Sequence, residues 1–209
     1  MGITRRAFFA FGAAATGAYL WSSGNRPASA GTLPAEPWAE KLVTAAKSQI
    51  GVTLIYDPTY SKISYPGGDV PRLMGVCTDV VIRAYRDGLA VDLQKLVHED
   101  MSRAFAVYPK KWGLKRTDSN IDHRRVPNLR VFLARRNAEL PVSTRGLDYL
   151  PGDIVTQELP GNKTHIVLVS NVLNADGSRP LAIHNIGWGA KMEDVLFTYK
   201  VTGHYRFQG

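Results

Sequence analysis

From Trp38 to Ile50 the apolar positions Trp38, Leu42, Val43, Ala46 and Ile50 recur at helical spacing and stop at Gly51. That period predicts an amphipathic helix whose stripe needs a core to cover it. A second stripe, Val76, Val80, Val81, Ala84 and Tyr85, opens at Gly75 and ends near Gly88, which predicts a buried helix carrying Cys77 in its first turn. Leu93 to Val107 and Asn128 to Leu140 are two further helical segments, the latter with Pro127 near its start, where a missing N–H costs nothing. Tyr56 to Pro71, rich in Pro, Gly, Asp and Tyr, reads as a loop, and Lys110 to Pro127 is polar and irregular.

After Pro151 the period changes. Asp153–Thr156, His165–Val169 and Leu181–His184 are β-rich runs separated by Gly and Asn turns, and Val195–Tyr199 and His204–Phe207 read as two more strands. Helices first and an antiparallel sheet afterwards predict an α+β domain over residues 38–209, with residues 31–37, which include Pro34 and Pro37, as a linker.

The first 30 residues stand apart. Arg5-Arg6 precedes an Ala/Gly-rich apolar run from Ala7 to Trp21, and Ala28-Ser29-Ala30 supplies small residues for cleavage. This is the order of an export signal, and the paired arginines resemble a twin-arginine leader. The apolar run is shorter than the about 20 residues a bilayer requires, so no membrane span is expected once the leader is removed. The expected location is the periplasm or cell envelope of a bacterium. Without the three leader arginines, 23 basic residues face 18 acidic ones, a mild excess suited to an anionic partner such as a cell-wall polymer. No nucleic-acid recognition module is present, and no signal bears on the oligomeric state.

A single cysteine in an exported chain closes no internal disulfide, so Cys77 is either an inert buried thiol or a working one. Cysteine catalysis needs an imidazole to take the thiol proton and a polar group to orient that imidazole, and a helix N-terminus favours the thiolate. His165, heading one strand run, and His184, near the end of another, are the imidazole candidates. The histidines include no H-E-x-x-H and no close Cys/His pair, and Gly67-Gly68 lacks the Lys-Ser/Thr of a phosphate loop, so neither a metal nor a cofactor is expected.

The order Gly75-Val76-Cys77-Thr78-Asp79 on a helix, Leu150-Pro151-Gly152-Asp153, Thr164-His165-Ile166-Val167 and Ile183-His184-Asn185 resembles the NlpC-like family of papain-fold cysteine peptidases, which act on bacterial cell-wall peptides. The resemblance spans Trp38 to Phe207 and implies a papain-like fold with the Cys helix packed on the C-terminal sheet. It further implies Cys77 as nucleophile, His165 as base and His184 as orienting residue, with Asn185 the alternative for the last role. Val76-Cys77-Thr78 stands where the family has Asp-Cys-Ser. A longer insert containing Asn120-Ile121-Asp122-His123-Arg124-Arg125 resembles an uncharacterised bacterial branch of the clan. In that insert Asp122, His123, Arg124 and Arg125 are candidates for binding a substrate carboxylate, or else for locking the loop by its own turns and ion pairs. Tyr56 and Asn185 are further substrate-binding candidates. The expected activity is amide hydrolysis in peptidoglycan peptides. The alternatives are a wall-binding protein without turnover and a thiol acyltransferase or deacylase acting on a lipid or protein.

Overall fold

The computed structural model describes residues 31–209, so the leader and its cleavage site lie outside the described residues. The first helix, α1, spans Pro37–Lys47 and buries Ala39, Leu42, Val43, Ala45 and Ala46. It stops three residues before the expected Ile50: Gln49 turns inward to donate to the Val80 carbonyl, and Gly51 takes φ +80°. A two-residue strand, β1 (Ile55–Tyr56), pairs in parallel with β2 (Met74–Gly75), which leads into α2 (Cys77–Leu89). α2 ends one residue past Gly88, at a left-handed Ala90. Gly88 serves close packing rather than termination, since a Cβ there would sit 2.8 Å from the Lys41 carbonyl oxygen on α1.

The loop between β1 and β2 is tied down from below. Arg83 of α2, wholly buried, pairs with Asp69 and donates to Thr53 and to the carbonyls of Val70 and Met74. α3 (Leu93–Arg103) is capped by Asp92, which accepts the Lys95 N–H, and gives way to a short 3-10 turn at Phe105–Val107. α4 covers Val126–Arg135, after which Asn137 takes φ +56° and the chain enters an edge strand, β3 (Glu139–Leu140). The C-terminal part of the expected Asn128–Leu140 helix is therefore strand.

Five longer strands complete an antiparallel sheet: β4 (Ile154–Leu159), β5 (Lys163–Leu173), β6 (Pro180–Asn185), β7 (Ala190–Glu193) and β8 (Lys200–Tyr205), in the order β3-β8-β4-β5-β6-β7. The expected strand at Val195–Tyr199 is instead a turn. Asp194 is taken by Arg179, Gln157 donates to the carbonyls of Val195 and Leu196, and Leu196 is drawn into the core. Gly31 and Leu33, expected as linker, pair with the far end of β5.

The sheet is covered on both faces. Ile154, Ile166, Leu168, Ile183 and Tyr205 meet the helices, while Val155, Val167, Val169 and Ala182 pack with Tyr149 and Leu196 on the other side. Each such side chain is worth about 1.5–3 kcal/mol when fully buried, so the sheet is a rigid floor for whatever its β5 and β6 ends carry. The Pro151-Gly152-Asp153 turn is locked into this floor. Asp153, fully buried, accepts from the Leu150 N–H and pairs with His204 and Arg206 of β8 and its continuation.

Candidate active site

Cys77 is the first residue of α2 and follows β2 by one residue, so its sulfur sits where helical N–H groups have no helical acceptor. The N–H groups of Cys77, Thr78 and Ile166 on β5 all approach the sulfur. Burial outweighs these donors and, with the Asp79 carboxylate nearby, pushes the thiol up to about 11, so it rests as the neutral S–H. Asp79 fixes the helix start. One of its oxygens accepts the Val76 N–H at 2.6 Å, and both meet Arg124 at 2.8 Å in a pair whose side chains are 4% and 3% exposed.

Two imidazoles and a carboxylate form a chain at the neighbouring end of the sheet. His165 Nε2 lies 2.9 Å from His184 Nδ1, and His184 Nε2 lies 3.1 Å from Glu193 Oε2. A carboxylate only accepts, so the proton on His184 belongs on Nε2 and its Nδ1 carries the lone pair. His165 must then donate from Nε2, which leaves its Nδ1 unprotonated. Burial, followed by the neighbouring His184, holds the His165 pKa down at about 3, and burial also lowers that of His184. The arrangement yields a neutral His165 with a free ring nitrogen, held in one tautomer by two successive hydrogen bonds.

A cavity of about 200 Å³ opens over Cys77, lined among others by Tyr56, Trp112, Arg124, Arg125 and Thr164. The Tyr56 hydroxyl faces the thiol, and burial, with the Cys77 thiol and the Asp79 carboxylate beside it, pushes its pKa up to about 12, so it remains a hydrogen-bond donor. Of the residues proposed from sequence to bind substrate, Tyr56, Arg124 and Arg125 border the cavity. Asp122 and His123 do not: they are 1% and 2% exposed, and burial drives the His123 pKa down to about 3. Asn185 is also turned away, donating to the Gly75 carbonyl and pinning β2. The hydrogen-bond partner of His165 is thus His184 rather than Asn185. The insert is locked by its own bonds. Asp118 accepts from Asn120, Asp122 accepts the Asp118 N–H, and Asn128 donates to the Asp122 carbonyl.

The family model described as "Domain of unknown function (DUF1287)" matches residues 43–207, which include every residue of this site. The chain belongs to this family. It is also 56% identical over 166 residues to the "Uncharacterized protein YijF" of Escherichia coli strain K12, an alignment covering 79% of this chain and 80% of that protein.

Three participants were not singled out from the sequence. Glu193 is separated from His184 by a turn through Gly187 and Gly189. Once that hairpin is drawn, strand alternation puts Lys191 and Glu193 on the face of His184, because His184 pairs with Lys191 and Ala182 with Glu193. Asp79 was legible as an acidic residue in the first turn of a helix, but its partner lies 45 residues away. Trp112 stands in the irregular insert, where no periodicity marks its side. Among the described residues, no helix is long and apolar enough to cross a membrane.

Proposed function

We propose that this chain is an exported cysteine hydrolase of papain-like, NlpC-type architecture that cleaves amide bonds in peptidoglycan peptides. The observation that carries the reading is the Glu193–His184–His165 chain, which leaves a lone pair on His165 Nδ1 in the strand whose next residue, Ile166, presents its N–H to the Cys77 sulfur. A base of this kind needs a fixed tautomer, and the chain supplies one.

In this mechanism the Cys77 sulfur attacks the carbonyl carbon as its proton passes to His165 Nδ1. The charge that develops on the carbonyl oxygen is met by the Cys77 N–H at the helix start and by the protonated Tyr56 hydroxyl. Collapse breaks the C–N bond, and His165 returns its proton to the leaving amine. Water, deprotonated by the same nitrogen, then hydrolyses the thioester and restores the thiol. Burial makes the separated thiolate and imidazolium costly, so the transfer is tied to substrate arrival. The leader sequence and the mild positive charge support an envelope location and an anionic wall as substrate.

The test is mass spectrometry of soluble fragments released from purified sacculi by the protein, beside Cys77→Ala and His165→Ala. Fragments released by the unsubstituted protein alone identify the severed bond. No release by a folded protein with a reduced thiol overturns the reading.

A further inference from the structure

Arg124 and Arg125 are adjacent in sequence and opposite in commitment. Arg124 spends its guanidinium on Asp79 through two bonds of 2.8 Å. Arg125 approaches Asp122 only to 3.6 Å, and its Nη1 is buried without a hydrogen-bond partner, as is the Asp122 oxygen opposite it. The remaining Asp122 oxygen is taken by the Asp118 N–H, so Asp122 directs Arg125 without closing the pair. The Arg125 guanidinium lies 4.1 Å from the centre of the Trp112 ring. Stacking of this kind occupies the face of the cation and leaves its in-plane N–H groups free. Arg125, Trp112 and Cys77 line one cavity, and exposed Lys111, Lys115 and Arg116 flank the tryptophan.

Nη1 is turned toward Asp122 and closed off from solvent, so an incoming carboxylate meets the other guanidinium nitrogens, which take no hydrogen bond among the described residues and offer charge-assisted donors to it. We infer that Arg125, held flat by Trp112, forms a subsite for a free carboxylate of the substrate, so that the protein selects acidic peptides bearing that group beside the scissile amide. The proximity follows from scale, since a cavity of about 200 Å³ holds both the carboxylate and the bond presented to Cys77. The identity of the substrate rests on the hydrolase reading; the subsite itself is open to a test that needs no turnover.

Cys77 is the only cysteine in the chain, so thiol labelling reports on this cavity alone. The protein is treated with iodoacetate and 3-bromopropionate, and in parallel with iodoacetamide and 3-bromopropionamide, in about 0.3 M salt to screen the surface charges. Rates are normalised to the same ratios measured on glutathione. The carboxylate reagents are expected to be favoured by at least about tenfold, as a charge-assisted hydrogen bond supplies. Arg125→Gln brings the ratio close to one, Arg125→Lys retains part of it, and Arg116→Gln, outside the lining of this cavity, leaves it within about twofold. A ratio near one in the unsubstituted protein overturns the subsite. So does a preference that survives in a folded Arg125→Gln variant, or a native protein in which neither reagent class reaches Cys77. Fragment release from sacculi with a ratio of one removes the subsite and keeps the hydrolase. A strong preference without fragment release does the reverse.

Discussion

Replacing Arg124 by leucine keeps much of the apolar stem and strands the Asp79 carboxylate in a site that is 4% exposed. Asp79 loses two hydrogen bonds of 2.8 Å and keeps the Val76 N–H at 2.6 Å. Removing one partner of a buried pair costs about 3–5 kcal/mol, because the other charge stays buried. The retained N–H and the positive end of α2 return about 0.3–1 kcal/mol of that, which places the expected loss near 3 kcal/mol. For a chain of this size that is a fall in melting temperature of about 6–12 °C. Urea unfolding followed by tryptophan fluorescence and by circular dichroism measures it. Adding Asp79→Asn, which removes the charge and keeps an acceptor for Val76, should recover about 2 kcal/mol. A single-variant loss below about 1 kcal/mol, or a double variant no better than the single, would refute the claim that this ion pair holds the start of the Cys77 helix.

Three other expectations follow from the same geometry. The folded protein holds His165 at about 3, below the ordinary 6.5, so the unfolded chain binds a proton that the folded chain declines. The contribution of a neutral His165 is therefore complete above pH 6.5 and is lost as pH falls toward 3; His165→Asn should flatten the stability profile between pH 6 and 4 by as much as about 1.4 kcal/mol per pH unit, and parallel profiles would sink the assignment. Glu193→Leu removes the acceptor that sets the tautomer chain, and fragment release from sacculi should drop about ten- to a hundredfold with the unfolding midpoint unchanged; an unaltered rate removes Glu193 from the site. Gly189→Ala combines φ +83° with a Cβ 2.5 Å from the Thr53 carbonyl oxygen, whereas Gly177→Ala meets only its φ of +73°. The former should lose at least about 3 kcal/mol and the latter about 1 kcal/mol in thermal unfolding, and equal losses would contradict the close approach of the β6–β7 hairpin.

What the sequence revealed depends on whether a signal was local. Helix α2 and the position of Cys77 within it follow from a stripe of buried positions, and β5 and β6 follow from unbroken apolar runs headed or closed by histidine. Val195–Tyr199 has the composition of a strand, yet tertiary demand for Leu196 and the Arg179–Asp194 pair turn it into a loop. Glu139 and Leu140 continue a helical pattern that Asn137 ends by taking a left-handed conformation. Within the site, His165 and His184 were readable from their strands. The choice of His184 over Asn185 as the partner of His165 rests on the family resemblance and not on a local signal, since it depends on which face of β6 meets the β2 carbonyl of Gly75. In the insert, four adjacent polar residues looked equivalent. Burial separates them, sending Asp122 and His123 inward and leaving Arg125 at the cavity.

The short parallel pairing of β1 with β2 has a consequence for how this protein can change. Tyr56 and Gly75 are register partners, and Cys77 follows two residues later, so the phenol and the thiol are indexed to each other by a clasp rather than by the chain that joins them. The segment from Pro58 to Ser64 lies outside that clasp and is bound instead to the insert, Tyr60 to Asp118 and Asn120 and the Ile63 N–H to Asn120. Changes made together in this segment and the insert can reshape the mouth of the cavity while the clasp keeps the phenol and the thiol at their spacing, which makes the paired loops the place to alter what the cavity admits by design.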